Sequence, residues 1–301
     1  MSDPYRAHAS FVRPAWPLRD IWRVLIVVFL VDLLFELSPA VFTLLLPPWA
    51  AEAVYNGTTA FGTLAQFYSF GIVALGLIGL VHLLHRRGFW SLIGDRAAAW
   101  DGLKRVAWGV GLALLVIELL PPYTAPGELA EVRNIFSWAL LVPLALLALL
   151  VQVGTEELFF RGYLQQQLAC LSPSPWVWMV IPSTLFGLVH YWNGNGAADG
   201  VIWAVWAGFL GLGCADLTAR TGNLGAAIGL HLVNNAFALL LYGVQGWPGS
   251  GLALFLYPYA DPQMFDYALD TLLHPRMIVE GLTLLASVLV MWSAARIAIR
   301  R

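Results

Sequence analysis

Long apolar runs recur along this 301-residue chain and constrain its fold more than any other feature. Hydrophobic residues make up 59% of the sequence and charged residues 11%, and the mean hydropathy is +0.73. A helix needs about 20 apolar residues to cross the hydrocarbon of a bilayer. Eight segments are candidate spans by that measure: 21–46, 64–84, 106–120, 136–152, 176–192, 201–217, 224–241 and 277–297. The sequence therefore predicts an all-α, polytopic membrane bundle with about eight transmembrane helices.

The Lys and Arg residues are divided unevenly between the two sides of such a bundle. With the N-terminus in the cytoplasm, fourteen of the sixteen, among them Arg161, fall on the cytoplasmic side, and only Arg133 and Arg276 fall outside. Cytoplasmic loops of membrane proteins are enriched in Lys and Arg. We therefore expect a multi-pass integral protein of a bacterial inner (plasma) membrane, with both termini cytoplasmic.

The remaining composition argues against several other classes of protein. The basic residues are scattered, so nucleic acid is not an expected partner. The two cysteines, Cys170 and Cys214, do not make a disulfide framework or a zinc-cysteine pattern, and no lipid anchor is indicated. We expect residues 1–301 to form a single integral membrane domain in contact with the lipid bilayer.

Two adjacent carboxylates, Glu156 and Glu157, and the arginine Arg161 follow an apolar segment. Ionisable groups at membrane depth are costly and usually mark functional sites or structural pairs. On a helix, Glu157 and Arg161 are one turn apart in the order that favours an ion pair, whereas Glu156 lies about 140° around the helix from Arg161. We therefore predict that Glu157 pairs with Arg161. Glu156 is expected to be an unpaired carboxylate where the segment meets the membrane surface.

Two histidines within apolar segments complete a candidate site. His190 follows Phe186 by one helical turn, so the Phe186 ring can shield its imidazole from lipid, and His231 shares a helix face with Asn235. Glu156 could accept a proton from water, and His190 could hold that water or supply a proton later. His231 and Asn235 could donate hydrogen bonds to an oxyanion. Alternatively, Glu156, His190 and His231 could ligate a metal ion such as Zn²⁺ that activates the water. These residues alone do not choose between the two chemistries.

Three motifs therefore occur in order on separate apolar segments: Glu156-Glu157-x-x-x-Arg161, Phe186-x-x-x-His190 and His231-x-x-x-Asn235. This ordered set resembles the CAAX-protease and bacteriocin-processing (CPBP) family of intramembrane endopeptidases, in particular the type II CAAX prenyl endopeptidases. The resemblance implies that Glu156 and His190 activate water, that His231 and Asn235 form an oxyanion hole, and that Glu157, Arg161 and Phe186 support them. It implies a glutamate-dependent or metal-dependent peptidase with residues 134–241 as catalytic core. Its substrate would be a membrane-associated protein or peptide, lipidated or not.

Two other functions are compatible with ionisable residues in a membrane bundle. Asp32 and Glu36 share a face of the first segment and, with Glu156, could be the ion sites of an ion-coupled transporter. No internal symmetry of the kind common in transporters is evident. Burial of Asp32 and Glu36 against other helices, or contact with interfacial water, is the simpler interpretation. A non-catalytic binding or immunity protein could also keep the same fold.

The depth of His190 in the membrane presents a geometric difficulty. If segment 176–192 crosses fully from the cytoplasm outwards, His190 lies about 20 Å above its start and far from a Glu156 at the cytoplasmic edge. One solution is a helix that carries Glu156 and continues well past Gln152 into the bilayer. The other is a segment that enters the membrane deeper, at about Ile181, with non-helical backbone lining a cavity.

Overall fold

The chain folds as a bundle of helices. A computed structural model describes residues 4–120, 129–261 and 266–300. Its α-helices are α1 (Arg6–Val12), α2 (Ile21–Leu44), α3 (Pro48–Asn56), α4 (Ala60–His85), α5 (Trp90–Ile93), α6 (Arg96–Glu118), α7 (Ile135–Glu157), α8 (Gln166–Leu171), α9 (Ile181–Val189), α10 (Ala197–Thr221), α11 (Gly225–Leu240) and α12 (Pro275–Ile299). Segments Leu158–Gln165 and Trp176–Val180 are π-helical, and Arg13–Leu18, His190–Asn193, Ser250–Leu252 and Leu269–Leu273 are 3-10 helical.

Within the described residues, five helices are long and apolar enough to span a membrane: Ile21–Leu44, Ala60–His85, Ile135–Leu171, Ala197–Thr221 and Pro275–Ile299. The predicted helical, multi-pass membrane class is therefore confirmed. The predicted number of eight spans is not confirmed, because three of the predicted segments fold differently from simple spans. Arg301, counted on the cytoplasmic side, lies outside the described residues.

The three remaining segments are more polar, interrupted or short. Segment 106–120 belongs to α6, whose first half carries charged residues that include Asp101 and Arg105. Segment 176–192 is divided between a π-helical turn, α9 and a 3-10 turn. Segment 224–241 forms α11, which has 16 residues. At 1.5 Å per residue α11 is about 24 Å long, short of the roughly 30 Å hydrocarbon core.

The helix that carries Glu156 continues far beyond its predicted end at Gln152. α7, the following π-helical segment and α8 form one helix, Ile135–Leu171, of 37 residues. The helix stops just before Pro173, which cannot supply a backbone N–H. The helix therefore continues past Gln152, as the first of the two solutions for the depth of His190 requires.

A small three-stranded sheet adds to the helical bundle. β1 (Glu131–Val132) pairs antiparallel with β3 (Phe255–Tyr257), and β3 pairs in parallel with β2 (Tyr242–Val244). β1 precedes α7 and the other two strands follow α11, so the sheet joins these two helices at one end. The Trp138 indole N–H donates to the Leu240 carbonyl at 3.0 Å and strengthens the same junction. The all-α prediction omitted this sheet because its strands have only two or three residues.

Two glycines let α11 pack closely against α6. A Cβ added at Gly225 would lie 1.8 Å from the Ala99 carbonyl oxygen, and one at Gly229 would lie 2.7 Å from that of Leu103. Such close approach between membrane helices requires small residues. His231 lies two residues after Gly229, so this packing holds one candidate site residue in place.

Asp32 and Glu36 are exposed on the outer face of α2. Burial of Asp32 and Glu36 against other helices, one of the two simpler interpretations from the sequence, is therefore not observed. Glu156, in contrast, is buried in the bundle, with 8% of its surface exposed. The three carboxylates of the transporter hypothesis do not form one cluster in the described part of the chain.

The N-terminal helix α1 packs on α8 and α10 and buries His8. The His8 ring centroid lies 4.3 Å from that of Trp178, and its Nε2 lies 3.3 Å from Gln165 Nε2. Burial lowers the pKa of His8 from 6.5 to about 4, because a desolvated site disfavours the imidazolium. Docking of α1 therefore requires a neutral His8 near neutral pH.

Acidification should destabilise the docked N-terminal helix. An undocked His8 takes up a proton near pH 6.5, whereas the docked residue resists protonation until about pH 4. Stability is therefore complete above pH 6.5 and falls as the pH decreases through this window, by up to about 3 kcal/mol. We expect thermal unfolding in detergent to show a lower Tm at pH 5 than at pH 7.5. His8→Phe keeps a ring against Trp178 but cannot titrate, so its Tm should depend less on pH. An equal dependence in both proteins would contradict this role of His8.

Candidate active site

The two adjacent carboxylates lie inside the helical bundle. Glu156 is 8% exposed, and Glu157 and Arg161 are fully buried. Because the helix continues to Leu171, Glu156 lies 15 residues, about 22 Å, from the helix end. Glu156 and Arg161 therefore lie within a continuing helix and inside the bundle, and their depth in the membrane stays a prediction. The physical reason is that the polar sequence after Gln152 continues the helix instead of ending it.

Glu157 and Arg161 form a buried ion pair. Arg161 Nη1 donates to Glu157 Oε1 at 3.0 Å, and neither side chain is exposed. The Arg161 guanidinium also lies 4.6 Å from the centroid of the Phe186 ring, a favourable cation–π distance. A Cβ added at Gly211 would lie 2.8 Å from Arg161 Nη2, so α10 has space for the guanidinium only because residue 211 is glycine. The predicted pairing of Glu157 with Arg161 is confirmed.

His231 lies between the two carboxylates. Its Nδ1 is 2.9 Å from Glu157 Oε1, and its Nε2 is 3.5 Å from Glu156 Oε2. An ionised carboxylate can only accept hydrogen bonds, so Nδ1 carries the hydrogen that is donated to Glu157. His231 is 2% exposed, and these contacts fix the orientation of its ring. One histidine thus connects the ion pair to Glu156.

Gln152 connects Glu156 to Asn235. Its Nε2 donates to Glu156 Oε1 at 2.6 Å, and its Oε1 accepts from Asn235 Nδ2 at 2.9 Å. Asn234 Nδ2 in turn donates to Asn235 Oδ1 at 3.0 Å. Glu156 is therefore not an isolated carboxylate, although it does not pair with Arg161. Its second oxygen, Oε2, is buried and accepts no hydrogen bond.

Phe186 lies between the two histidines. Its ring centroid is 4.4 Å from that of His190 and 5.6 Å from that of His231, and the side chain is 1% exposed. His190 Nδ1 lies 2.7 Å from the Phe186 carbonyl oxygen, to which it donates. The neutral ring then has its free lone pair on Nε2. The predicted contact between Phe186 and His190 is confirmed.

A reversal of the chain between Leu171 and Trp176 separates Glu156 from His190. The long helix ends at Leu171, and the next helical segment begins at Trp176. Glu156 lies 15 residues before this reversal and His190 lies 14 residues after it, about 22 Å and 21 Å at helical rise. Glu156 and His190 therefore lie at similar distances from the reversal.

The sequence reasoning missed two residues of this cluster, Gln152 and Asn234. Gln152 lies one turn before Glu156 on the same helix face, in a segment that is otherwise apolar, and this spacing could have revealed it. Asn234 precedes Asn235, and its contact depends on local side-chain geometry that no spacing rule supplies. Both residues are buried and hydrogen-bonded.

The side chains present do not form a metal site. Among the described residues, no group of three or more His, Cys, Asp or Glu side chains is arranged to hold a metal ion. Glu156 and His231 approach each other directly, and His231 Nδ1 is already bonded to Glu157. The alternative in which Glu156, His190 and His231 hold Zn²⁺ is therefore not supported by their arrangement.

Comparison with known proteins gives a family for the central part of the chain. Residues 138–237 match the family model described as type II CAAX prenyl endopeptidase Rce1-like. This stretch is an Rce1-like domain of the CPBP family. The Rce1-like domain includes Gln152, Glu156, His190, His231 and Asn235.

One curated relative covers much of the chain. The uncharacterized protein YyaK of Bacillus subtilis (strain 168) is 27% identical over 251 residues, and the match covers 76% of this chain and 80% of YyaK. The similarity therefore extends well beyond the Rce1-like domain. No solved structure matches the chain.

Removal of the Glu157 charge should destabilise the protein strongly. Glu157→Gln would leave Arg161 as a buried cation without a counter-charge, and loss of one partner of a buried pair costs about 3–5 kcal/mol. Thermal unfolding in detergent would measure the effect. Asp101→Asn is the matched control, because Asp101 and Arg105 have the same i,i+4 spacing but are 54% and 55% exposed. The control should cost about 1 kcal/mol or less. Similar losses in the two variants would show that burial does not strengthen the Glu157–Arg161 interaction.

Proposed function

We propose that the chain is an intramembrane endopeptidase that hydrolyses a peptide bond of a membrane-associated protein or peptide. The observation that carries the proposal is Glu156 Oε2, a buried carboxylate oxygen that accepts no hydrogen bond and lies 3.5 Å from His231 Nε2. Such an oxygen can accept a proton from a water molecule that enters the site. The match to a family of endopeptidases supports a peptide bond as the target.

Glu156 would act as the general base. Gln152 donates to Oε1 at 2.6 Å and so holds the carboxylate with Oε2 directed towards His231. Water between Glu156 and the substrate carbonyl would give its proton to Oε2 as its oxygen attacks the carbonyl carbon. His190, whose Nε2 has a free lone pair, would orient the same water. Glu156 would then pass the proton to the departing amine, which restores the carboxylate.

His231 and Asn235 would stabilise the oxyanion. His231 would stay bonded to Glu157 through Nδ1 while its Nε2 faces the site and the oxyanion. Asn235 uses one Nδ2 hydrogen for Gln152 and keeps the other for the substrate. Donors fixed before the reaction stabilise a developing charge without reorganisation.

The proposal also covers the extent and setting of the catalytic unit. Residues 134–241 would form the catalytic core, which the family match over 138–237 supports. The protein would lie in the inner membrane of a bacterium, with both termini in the cytoplasm. Without the buried Arg161, thirteen Lys and Arg residues still fall on the cytoplasmic side and two outside. This distribution supports the same orientation.

Replacement of Glu156 by Gln should abolish most hydrolysis while the protein stays folded. Gln keeps the size of the side chain but cannot accept a proton, so turnover should fall by about 10²–10⁴-fold. Membrane proteomes of cells that express the parent or Glu156→Gln would be compared for newly appearing C-termini, at equal folded yield. The new C-termini should appear in cells that express the parent and be largely missing from cells that express Glu156→Gln. Asp32→Asn, on the outer face of α2, is a charge-matched control that should retain them.

The same comparison separates the enzyme from the alternatives. A binding or immunity protein would keep its cellular effect in Glu156→Gln, because that variant preserves shape. A transporter that uses Asp32 would lose its effect in the control instead. The proposed peptidase would be contradicted if Glu156→Gln kept the cellular effect, or if Asp32→Asn lost it, while the C-termini were the same in all samples.

Chelation should leave the activity unchanged. The donor arrangement is not that of a metal site, so the proposed reaction depends on Glu156 rather than on bound Zn²⁺. Cleavage by purified protein would be measured with and without a strong chelator, with a zinc-dependent protease as positive control for chelation. Loss of cleavage that returns on addition of Zn²⁺ would show that His190 and His231 rearrange to bind a metal.

A further inference from the structure

An apolar groove of about 350 Å³ lies between α2 and α4 on the outside of the bundle. Its lining consists of leucine and glycine only, from Leu30 to Leu37 on α2 and from Gly76 to Leu83 on α4. Each stretch covers seven helical steps, about 10 Å. A Cβ added at Gly79 would meet no atom within 4 Å, so this glycine leaves open space in the groove.

A cluster of arginines lies at one end of this groove. Arg23 is seven residues, two helical turns, before Leu30 and shares its helix face. Arg23 Nη1 donates to the Leu84 carbonyl oxygen at 2.6 Å, which places its guanidinium next to Leu83. Arg86 follows two residues later and is exposed, with a left-handed backbone at φ 53°.

The cluster carries more positive charge than its carboxylates neutralise. Arg23 pairs with Asp20 at 2.9 Å. In the described ranges, no carboxylate lies within ion-pair distance of Arg86 or of the neighbouring Arg87, which is only 5% exposed. One Arg87 nitrogen, Nη1, has no hydrogen-bond acceptor at all. A buried cation without counter-charge is costly, so an anion nearby would stabilise this end of the bundle.

The positions of the groove and the cluster fit one kind of molecule. Leu37 lies 14 residues, about 21 Å, from Arg23 along α2. One leaflet of a bilayer has about 15 Å of hydrocarbon below its headgroups. A chain that begins at the arginines therefore reaches Leu30, about 10 Å from Arg23, and can follow the nearer part of the groove. Basic sites between membrane helices on the cytoplasmic side recognise anionic lipid headgroups.

We propose that this groove binds an acyl chain of an anionic phospholipid whose phosphate contacts Arg23 and Arg86. The uncompensated charge of Arg86 and Arg87 selects an anionic lipid over a zwitterionic one. The leucines hold the chain, and Gly79 provides space for it. Asp32 and Glu36 are exposed on α2 but do not line the groove. The site is separate from the Glu156 cluster, so it does not depend on the proposed peptidase activity.

Retention of defined lipids by the purified protein tests the proposal. The full-length protein would be exchanged into equal amounts of phosphatidylglycerol and phosphatidylcholine, and bound lipid would be counted by native mass spectrometry. Phosphatidylglycerol should be retained preferentially. Arg86→Asn, chosen because Asn tolerates a left-handed backbone, should weaken its retention about fivefold, the usual effect of one basic group near an anionic headgroup. Arg23 is left unchanged because it also binds the Leu84 carbonyl.

Matched variants separate this site from general lipid contact. Gly79→Leu fills the groove and should remove the preferential retention, whereas Gly281→Leu places the same side chain in open space on α12 and should not. Lys104→Gln removes an exposed charge near the start of α6 and is the control for Arg86→Asn. Unchanged Tm values would show that each variant is folded.

Three results would overturn the proposal. Equal retention of phosphatidylglycerol and phosphatidylcholine would show that the arginines do not select an anionic headgroup. Equal losses of phosphatidylglycerol retention in Gly79→Leu and Gly281→Leu would show that the groove binds lipid no more specifically than the rest of the surface. A change of oligomeric mass in Gly79→Leu, with phosphatidylglycerol retention intact, would show that the groove binds a second copy of the chain.

Discussion

The buried interaction of Arg161 with Glu157 and His231 is the constraint on which the rest of the site depends. A guanidinium with no exposed surface needs a counter-charge, and Glu157 Oε1 provides it at 3.0 Å. The same oxygen lies 2.9 Å from His231 Nδ1, so one carboxylate oxygen fixes two side chains from different helices. The ring of His231 then has only Nε2 left to face Glu156. Structural and candidate catalytic groups are therefore connected through a single atom.

This cluster can exist only because one helix runs unbroken through it. Gln152, Glu156 and Glu157 lie on α7, and the helix continues through a π-helical segment to Leu171. Such π-helical turns are rare and occur often at functional sites. The continuation carries both carboxylates away from the helix end and into the bundle. α10 makes room for Arg161 at Gly211, and the packing of α11 on α6 at Gly229 positions His231.

The interior and the outer surface of the bundle differ in how their polar and apolar side chains are arranged. Inside, Asn235, Gln152 and Glu156 are joined by successive hydrogen bonds, because unpaired polar groups are costly away from water, and Glu156 Oε2 is an oxygen that accepts none. On the outside, leucine and glycine leave an apolar groove next to uncompensated arginines. The first arrangement suits chemistry on a peptide bond, and the second suits a lipid of the surrounding bilayer. The two sites use different helices and can be altered separately.

The sequence by itself determined the membrane class, the pairing of Glu157 with Arg161 and the contact of Phe186 with His190, because these follow from hydropathy and from helical spacing within one segment. The roles of Glu156, His190, His231 and Asn235 remain proposals. Sequence spacing counted eight spans, whereas five helices of the described residues are long and apolar enough to span a membrane, since apolar length does not show whether a helix continues through polar residues. It also missed Gln152 as the link between α7 and α11. Only the tertiary structure decided burial and contacts between helices, because these depend on how separate segments pack against one another.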